Sequence, residues 1–311
     1  HIVSRLGDGK VKEENLKLGG GRQFKSIEHS LNKINNNYKI KDNSLKSLNY
    51  SDKNSLPRQI YKFIGRDGVQ ILEREKQVKK SGVVAIIKLT DNSSNSTRLE
   101  DQFEIINAYM NSITPIVKKC GGFIDKFIGD AIVAVFTKAD SALDCSRNIL
   151  RTVYGRNRRQ SNIFVQIALH YGEIVLAVKS EEEKVPTIIS SLSVVNKISE
   201  IAKFMKGKIV FSKAILDNLA LHYHIDYRYL GSFNGSDEEI LVFEDLSAYP
   251  KDYATKLIKN KNIFEKGVIL YNNREFDKAG YYFEDVLRSI PDDNASYIYF
   301  NKTKEKLEAK S

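Results

Sequence analysis

The chain has little that would staple or metallate a fold. Among its 311 residues there are only two cysteines, Cys120 and Cys145. Two cysteines make no disulfide framework, and they read as free thiols in a reducing compartment. The five histidines, His1, His29, His170, His222 and His224, show no zinc spacing with acids or cysteines. His222 and His224 alternate on an expected strand and read as surface or packing residues. No apolar run approaches the length of a membrane span, and no signal-peptide pattern is present. The chain also lacks a P-loop and a nucleophile elbow, which removes two large classes of nucleotide and acyl-transfer enzyme.

What is present is a globular composition, 41% hydrophobic and 28% charged. The length supports a full core and more than one domain. The net charge is +10, and nearly all of the excess lies before residue 81, where 18 Lys and Arg face 9 Asp and Glu. A basic segment near an anionic membrane leaflet, a nucleic-acid arm and a solvated linker all carry such a charge. The segment has no aromatic interleaving, so nucleic acid is the least favoured partner. The sequence starts at His1 rather than Met, and the expectation is an upstream segment through which a cytoplasmic domain could be attached to a membrane sensor.

Along the chain, residues 1–80 read as a basic linker. One helical patch stands out there, with Phe24, Ile27, Leu31 and Ile34 at helical spacing. A short helix is expected from Leu56 onward, and residues 71–80 read as a charged coil. A central module follows at 81–246. Residues 83–89 are rich in β-branched residues and read as a buried strand. Residues 99–119 carry Phe103, Ile106, Tyr109, Met110, Ile113 and Ile116 at helical spacing. A second helix is expected at 139–154 and a third at 192–205. Residues 163–178 read as a hairpin turning at His170-Tyr-Gly-Glu. Short strands are expected at 208–211, 223–229 and 240–243, with a helix near 214–219. Strand, helix, hairpin, helix, strand is an α/β sandwich of ferredoxin-like type. Residues 252–308 form a separate C-terminal helical hairpin.

The most informative stretch is Gly121-Gly-Phe-Ile-Asp-Lys-Phe-Ile-Gly-Asp-Ala-Ile-Val-Ala-Val-Phe136. Two apolar runs are separated only by Gly129-Asp130, which is a tight hairpin with a carboxylate at its tip. Lys126 stands four residues before Asp130. A carboxylate that can hold Mg²⁺ and a cation beside it suit a nucleotide site. An ordinary Gly-Asp hairpin with a solvated lysine has the same pattern. The stretch resembles the class III adenylate/guanylate cyclase catalytic domain, whose signature is Gly-Gly-x-x-x-Lys-x-x-Gly-Asp-Ala-x-x-Ala-x-Phe. The helix upstream, from Phe103 to Lys119, is similar to the one preceding this hairpin in bacterial members. Residues 22–34 loosely resemble the linker modules that join membrane sensors to cyclases. The C-terminal segment resembles a tetratricopeptide-like helix pair, which cannot bury both faces alone and is expected to pack on the central module or a second chain.

The resemblance implies a two-metal site for ATP, with Mg²⁺ or Mn²⁺ if any ion is used. Asp130 matches one metal aspartate. The other is expected at the end of the first strand, where the alignment places Leu89. Asp91 lies two residues on and is the one candidate to supply the missing carboxylate. Lys126 matches the lysine that reads adenine. With Leu192, Val194, Val195, Ile198 and Ile201 laid on the third helix, Ser193 takes the place of the ribose-orienting asparagine. Lys197 takes that of the catalytic arginine, and the adenine-reading aspartate falls near Lys184. A rival register puts Asn196 and Glu200 at the helix positions. Lysine keeps an arginine's charge but loses its fork. These departures imply a degenerate class III homologue acting as a dimerisation or regulatory module, in a homodimer or a heterodimer with another cyclase domain. ATP or another anion would bind between the subunits. The rival reading is an active adenylate cyclase making cAMP and pyrophosphate.

Overall fold

The computed structural model describes residues 58–75, 77–91, 99–157, 163–177, 187–188, 192–235 and 239–309. The patch at Phe24–Ile34 and the position of Lys184 lie outside them. Residues 58–311 form one compact unit.

The centre is a long antiparallel pair. β1 (Gln77–Asp91) and β4 (Ile163–Ala177) pair without interruption, from Gln77 opposite Ala177 to Asp91 opposite Ile163. The hairpin expected at 163–178 is therefore a single 15-residue strand. His170-Tyr-Gly-Glu does not turn, because Gly172 meets Gly82 in the ladder and Tyr171 meets Val83. The backbone hydrogen bonds of this segment go to β1, which local sequence does not reveal. The charged residues expected to coil at 71–80 are split. Ile71 ends in α1 (Arg58–Glu75), a helix interrupted at Gly65, and Gln77 to Lys80 open β1.

The helix α2 (Leu99–Lys119) leads into β2 (Phe123–Ile128) and β3 (Ala131–Phe136). Then come α3 (Ala139–Asn157), the short β5 (Thr187–Ile188) after β4, α4 (Leu192–Met205), β6 (Ile209–Ser212) and α5 (Lys213–Asp217). β7 (Tyr227–Asn234) and β8 (Glu239–Asp245) complete an eight-stranded sheet of order β2-β3-β1-β4-β6-β8-β7, with β5 beside β4. His222 and His224 precede β7 rather than lying on it, and both are exposed.

The two faces of the sheet are set by the strand period of two. Val83, Ala85, Ile87 and Leu89 join β4 residues Ile163, Val165, Ile167 and Leu169 in one core with Ile113 and Val117 of α2 and Leu143, Ile149 and Val153 of α3. The other face carries Val84 and Ile86, and α1 and α4 cover it. Gln166 on that face donates to the carbonyls of Ala202 at 2.7 Å and Gly207 at 3.3 Å. Cys120 and Cys145 are free thiols.

The C-terminal segment forms three helices, α6 (Lys251–Asn272), α7 (Phe276–Ser289) and α8 (Asn294–Glu308), one more than a helical hairpin. It packs on the outer strand β7. Tyr299 Oη donates to the Leu230 carbonyl at 2.6 Å, and Glu265 Oε1 accepts from the Tyr229 amide at 2.7 Å. Among the described residues, no helix is long and apolar enough to cross a membrane.

Candidate functional site

The β2–β3 hairpin is shaped by its glycines. Gly129 has φ 56°, a left-handed conformation that a residue with a Cβ adopts at a cost. A Cβ on Gly122 would lie 2.4 Å from the Phe136 ring, so only glycine admits this close approach at the hairpin's base. The turn is then clamped to the central strand, where the Leu89 amide donates to the Asp130 carbonyl at 2.9 Å. Lys88 lies opposite Ala131, one residue past the turn.

This register decides what faces the Asp130 carboxylate. The Leu89 side chain is fully buried in the core. A carboxylate at position 89 would be desolvated among aliphatic groups, at a cost of several kcal/mol. Lys88 is on the opposite face of β1, and its Nζ stands 3.8 Å from Asp130 Oδ2, with both side chains partly exposed. The group beside Asp130 is thus an ammonium. Asp91 is the last residue of β1, opposite Ile163. It has the parity of Leu89 along the strand, not that of Lys88, and its side chain is outside the described residues.

Lys126 follows a bulge in β2, where the ladder to β3 shifts register between Ile124 and Lys126. Its Nζ is 3.1 Å from Oδ2 of Asp125, a carboxylate whose side chain is 2% exposed. A carboxylate buried to that degree needs a partner, and Lys126 supplies charge to it. On α4, Val195, Ile198, Ile201, Ala202 and Met205 are buried. Ser193, Asn196, Lys197 and Glu200 are all exposed, so both registers considered for this helix put their polar pair on its free face. Lys197 Nζ pairs with Glu200 Oε2 at 3.3 Å along the helix. Each candidate cation has a carboxylate neighbour close to it in sequence or across the turn. Sequence reasoning passed over two of these groups. Lys88 could have been found from the period-two alternation that buries Leu89. Asp125 could not, because its burial depends on the bulge.

No family model matches the chain. It is 21% identical over 265 residues to a terminal-differentiation-specific adenylate cyclase of Dictyostelium discoideum, covering 79% of this chain and 12% of that protein. It is 23% identical over 260 residues to an adenylate cyclase of Anabaena cylindrica, covering 78% of this chain and 52% of that protein. Among solved structures, a bacterial light-regulated adenylyl cyclase superposes with a TM-score of 0.51 at 16% identity, over 78% of this chain and 72% of that one. The chain is similar in sequence to these adenylate cyclases and shares the fold of the light-regulated adenylyl cyclase. It spans about half the length of the Anabaena relative and about an eighth of the Dictyostelium one.

For a hairpin of this kind the decisive test is whether its tip suits a divalent ion. Among the described residues, the donor set does not fit. A hard cation needs several oxygen ligands, commonly more than one carboxylate. Among the described residues no group of three or more His, Cys, Asp or Glu could hold a metal. Asp130 has the Lys88 ammonium beside it, and Leu89 offers no donor.

Proposed function

We propose that this class III cyclase homologue is a catalytically degenerate module of cyclic-nucleotide signalling, which works by dimerising with a second cyclase-type domain. The observation that carries the reading is the pairing of Asp130 with Lys88 while Leu89 is sealed in the core. Among the described side chains the tip has one carboxylate, Asp130, where a two-metal cyclisation needs two. On α4, Ser193 and Lys197 replace the polar pair the family resemblance calls for, and Lys197 is engaged by Glu200. Losing one transition-state contact costs about 10²–10³ in rate, and several losses at one site leave little turnover.

Dimerisation is supported by the tip itself. Phe127 and Ile128, next to the turn, are each 54% exposed, which is a large apolar offering for water. Lys126 keeps the position from which adenine would be read, so ATP or another anion is the ligand class the site would take. The module would act on the cytoplasmic side, in partnership with a sensor.

The rival reading, an adenylate cyclase converting ATP to cAMP and pyrophosphate, draws on the names of the relatives and on Lys126. Assay of the purified chain for cAMP from Mn²⁺-ATP separates the two. The degenerate module yields turnover several orders of magnitude below the ~10 s⁻¹ of an ordinary enzyme. Turnover within tenfold of that value overturns the proposal.

A further inference from the structure

The geometry points to Lys88 as a built-in substitute for a metal ion, an ammonium fixed on β1 that neutralises Asp130 and keeps divalent cations out of the hairpin tip. The inference rests on the cyclase-type reading of the hairpin, but not on whether the chain turns over ATP.

Three observations place Lys88 for this. First, its backbone is held on both sides, opposite Ala131 of β3 and Gln166 of β4. Gln166 is itself buried and anchored to the carbonyls of Ala202 in α4 and Gly207 just after it. Second, the backbone of Asp130 is held against the same strand, because the amide of Leu89, the next residue, donates to the Asp130 carbonyl at 2.9 Å. Lysine and aspartate are therefore brought together by the ladder and the turn rather than by chance meeting of two free side chains. Third, Lys88 Nζ lies 3.8 Å from Asp130 Oδ2, with the lysine 30% and the aspartate 39% exposed. A divalent ion arriving at Asp130 finds one carboxylate and meets an ammonium a few ångströms away. Like-charge repulsion at that range cancels much of what a single carboxylate returns, and the remainder does not meet the cost of stripping water from the ion.

The charge relationship also has a consequence for ligands. A metal ion is exchangeable and can travel with a triphosphate; an ammonium on a strand cannot. An anion approaching this tip would be met by fixed protein cations and not by a bridging metal.

Mn²⁺ binding to the full chain tests the inference, read by the relaxation of water protons and by calorimetry. The wild-type chain is expected to bind Mn²⁺ at the tip only above millimolar concentration. Lys88→Met removes the charge while keeping the aliphatic length, and is expected to tighten binding at least tenfold. Lys88→Asp adds a second carboxylate and is expected to tighten it about a hundredfold. Asp130→Asn in either background should abolish the gain. Lys88 is partly exposed, so the variants should fold, and circular dichroism with the unfolding midpoint verifies this. Wild-type binding as tight as that of Lys88→Met, and lost with Asp130→Asn, overturns the inference. So does a folded Lys88→Asp variant that binds Mn²⁺ no better than wild type. The cAMP assay is a separate readout. A chain that cyclises ATP defeats the proposed function, whereas unchanged Mn²⁺ affinity across the Lys88 variants defeats this one.

Discussion

Arg228 on β7 donates through Nη1 and Nη2 to the two carboxylate oxygens of Asp293, each at 2.8 Å, and through Nε to Glu244 at 3.0 Å. All three side chains are essentially buried. The Arg228 guanidinium also lies 4.4 Å from the Phe264 ring of α6. Burial opposes the charge, but Asp293 and Glu244 more than offset it and hold the guanidinium above its ordinary value. Asp293 immediately precedes α8, so this fork fastens the helical tail to the sheet.

Breaking the fork should loosen the tail. Arg228→Met leaves two carboxylates buried without their counter-charge and is expected to cost about 3–5 kcal/mol in urea unfolding. The double variant Arg228→Met with Asp293→Asn should recover part of that loss, because one of the orphaned charges is gone. Limited proteolysis should cut between β8 and α6 faster in the single variant. Equal stability of the single variant and wild type would show that the fork contributes nothing to holding the tail.

His170 makes stability depend on pH in one direction. Its Nδ1 is 2.8 Å from Ser212 Oγ, and burial lowers its pKa from the ordinary 6.5 to about 4. The folded chain keeps the ring neutral, while the unfolded chain binds a proton below pH 6.5. Stability from this group is therefore fully present above about pH 6.5 and falls as the pH drops toward 4. The slope is at most about 1.4 kcal/mol per pH unit. Between pH 7.5 and pH 5.0 the wild type should lose about 2 kcal/mol more than His170→Gln, which keeps a polar partner for Ser212 but does not titrate. Parallel losses in the two proteins would assign the pH dependence to other groups.

The exposed tip residues should govern assembly. Phe127→Ser combined with Ile128→Ser removes the two apolar side chains without touching the turn or the core. Sedimentation equilibrium should show self-association weakened at least tenfold, with the unfolding midpoint nearly unchanged. Adding ATP or sulfate should strengthen association of the wild-type chain by mass action, since an anion bound between subunits favours the dimer. A wild-type chain that stays monomeric at tens of micromolar, with and without anion, would leave assembly to a heteromeric partner.

Several elements were legible in the sequence because their cause is local. The helix Leu99–Lys119 follows from apolar spacing, and its observed bounds are the expected ones. The hairpin follows from Gly129-Asp130 between two apolar runs, since a left-handed glycine and a short polar turn need nothing from the rest of the chain. The α/β sandwich followed from the order of these elements. The third helix was placed within the same bounds, 192–205, and Val195, Ile198 and Ile201 of its apolar residues are buried.

What only the tertiary structure decided depends on partners distant in sequence. Residues 163–178 carry a Tyr-Gly-Glu that reads as a turn, and only pairing with β1 keeps it extended, Gly172 against Gly82. Which of Lys88 and Leu89 meets Asp130 is a matter of strand parity, and parity is set by which face of the sheet is packed under α2 and α3. The buried state of Asp125, with Lys126 as its neighbour, comes from a bulge that no local rule placed. The tail's attachment through Arg228 and Asp293 joins residues 65 positions apart. Local periodicity sets which elements form, because it needs only neighbouring residues. Which charges face one another is set by register between strands, and register is an energy of the whole packed sheet.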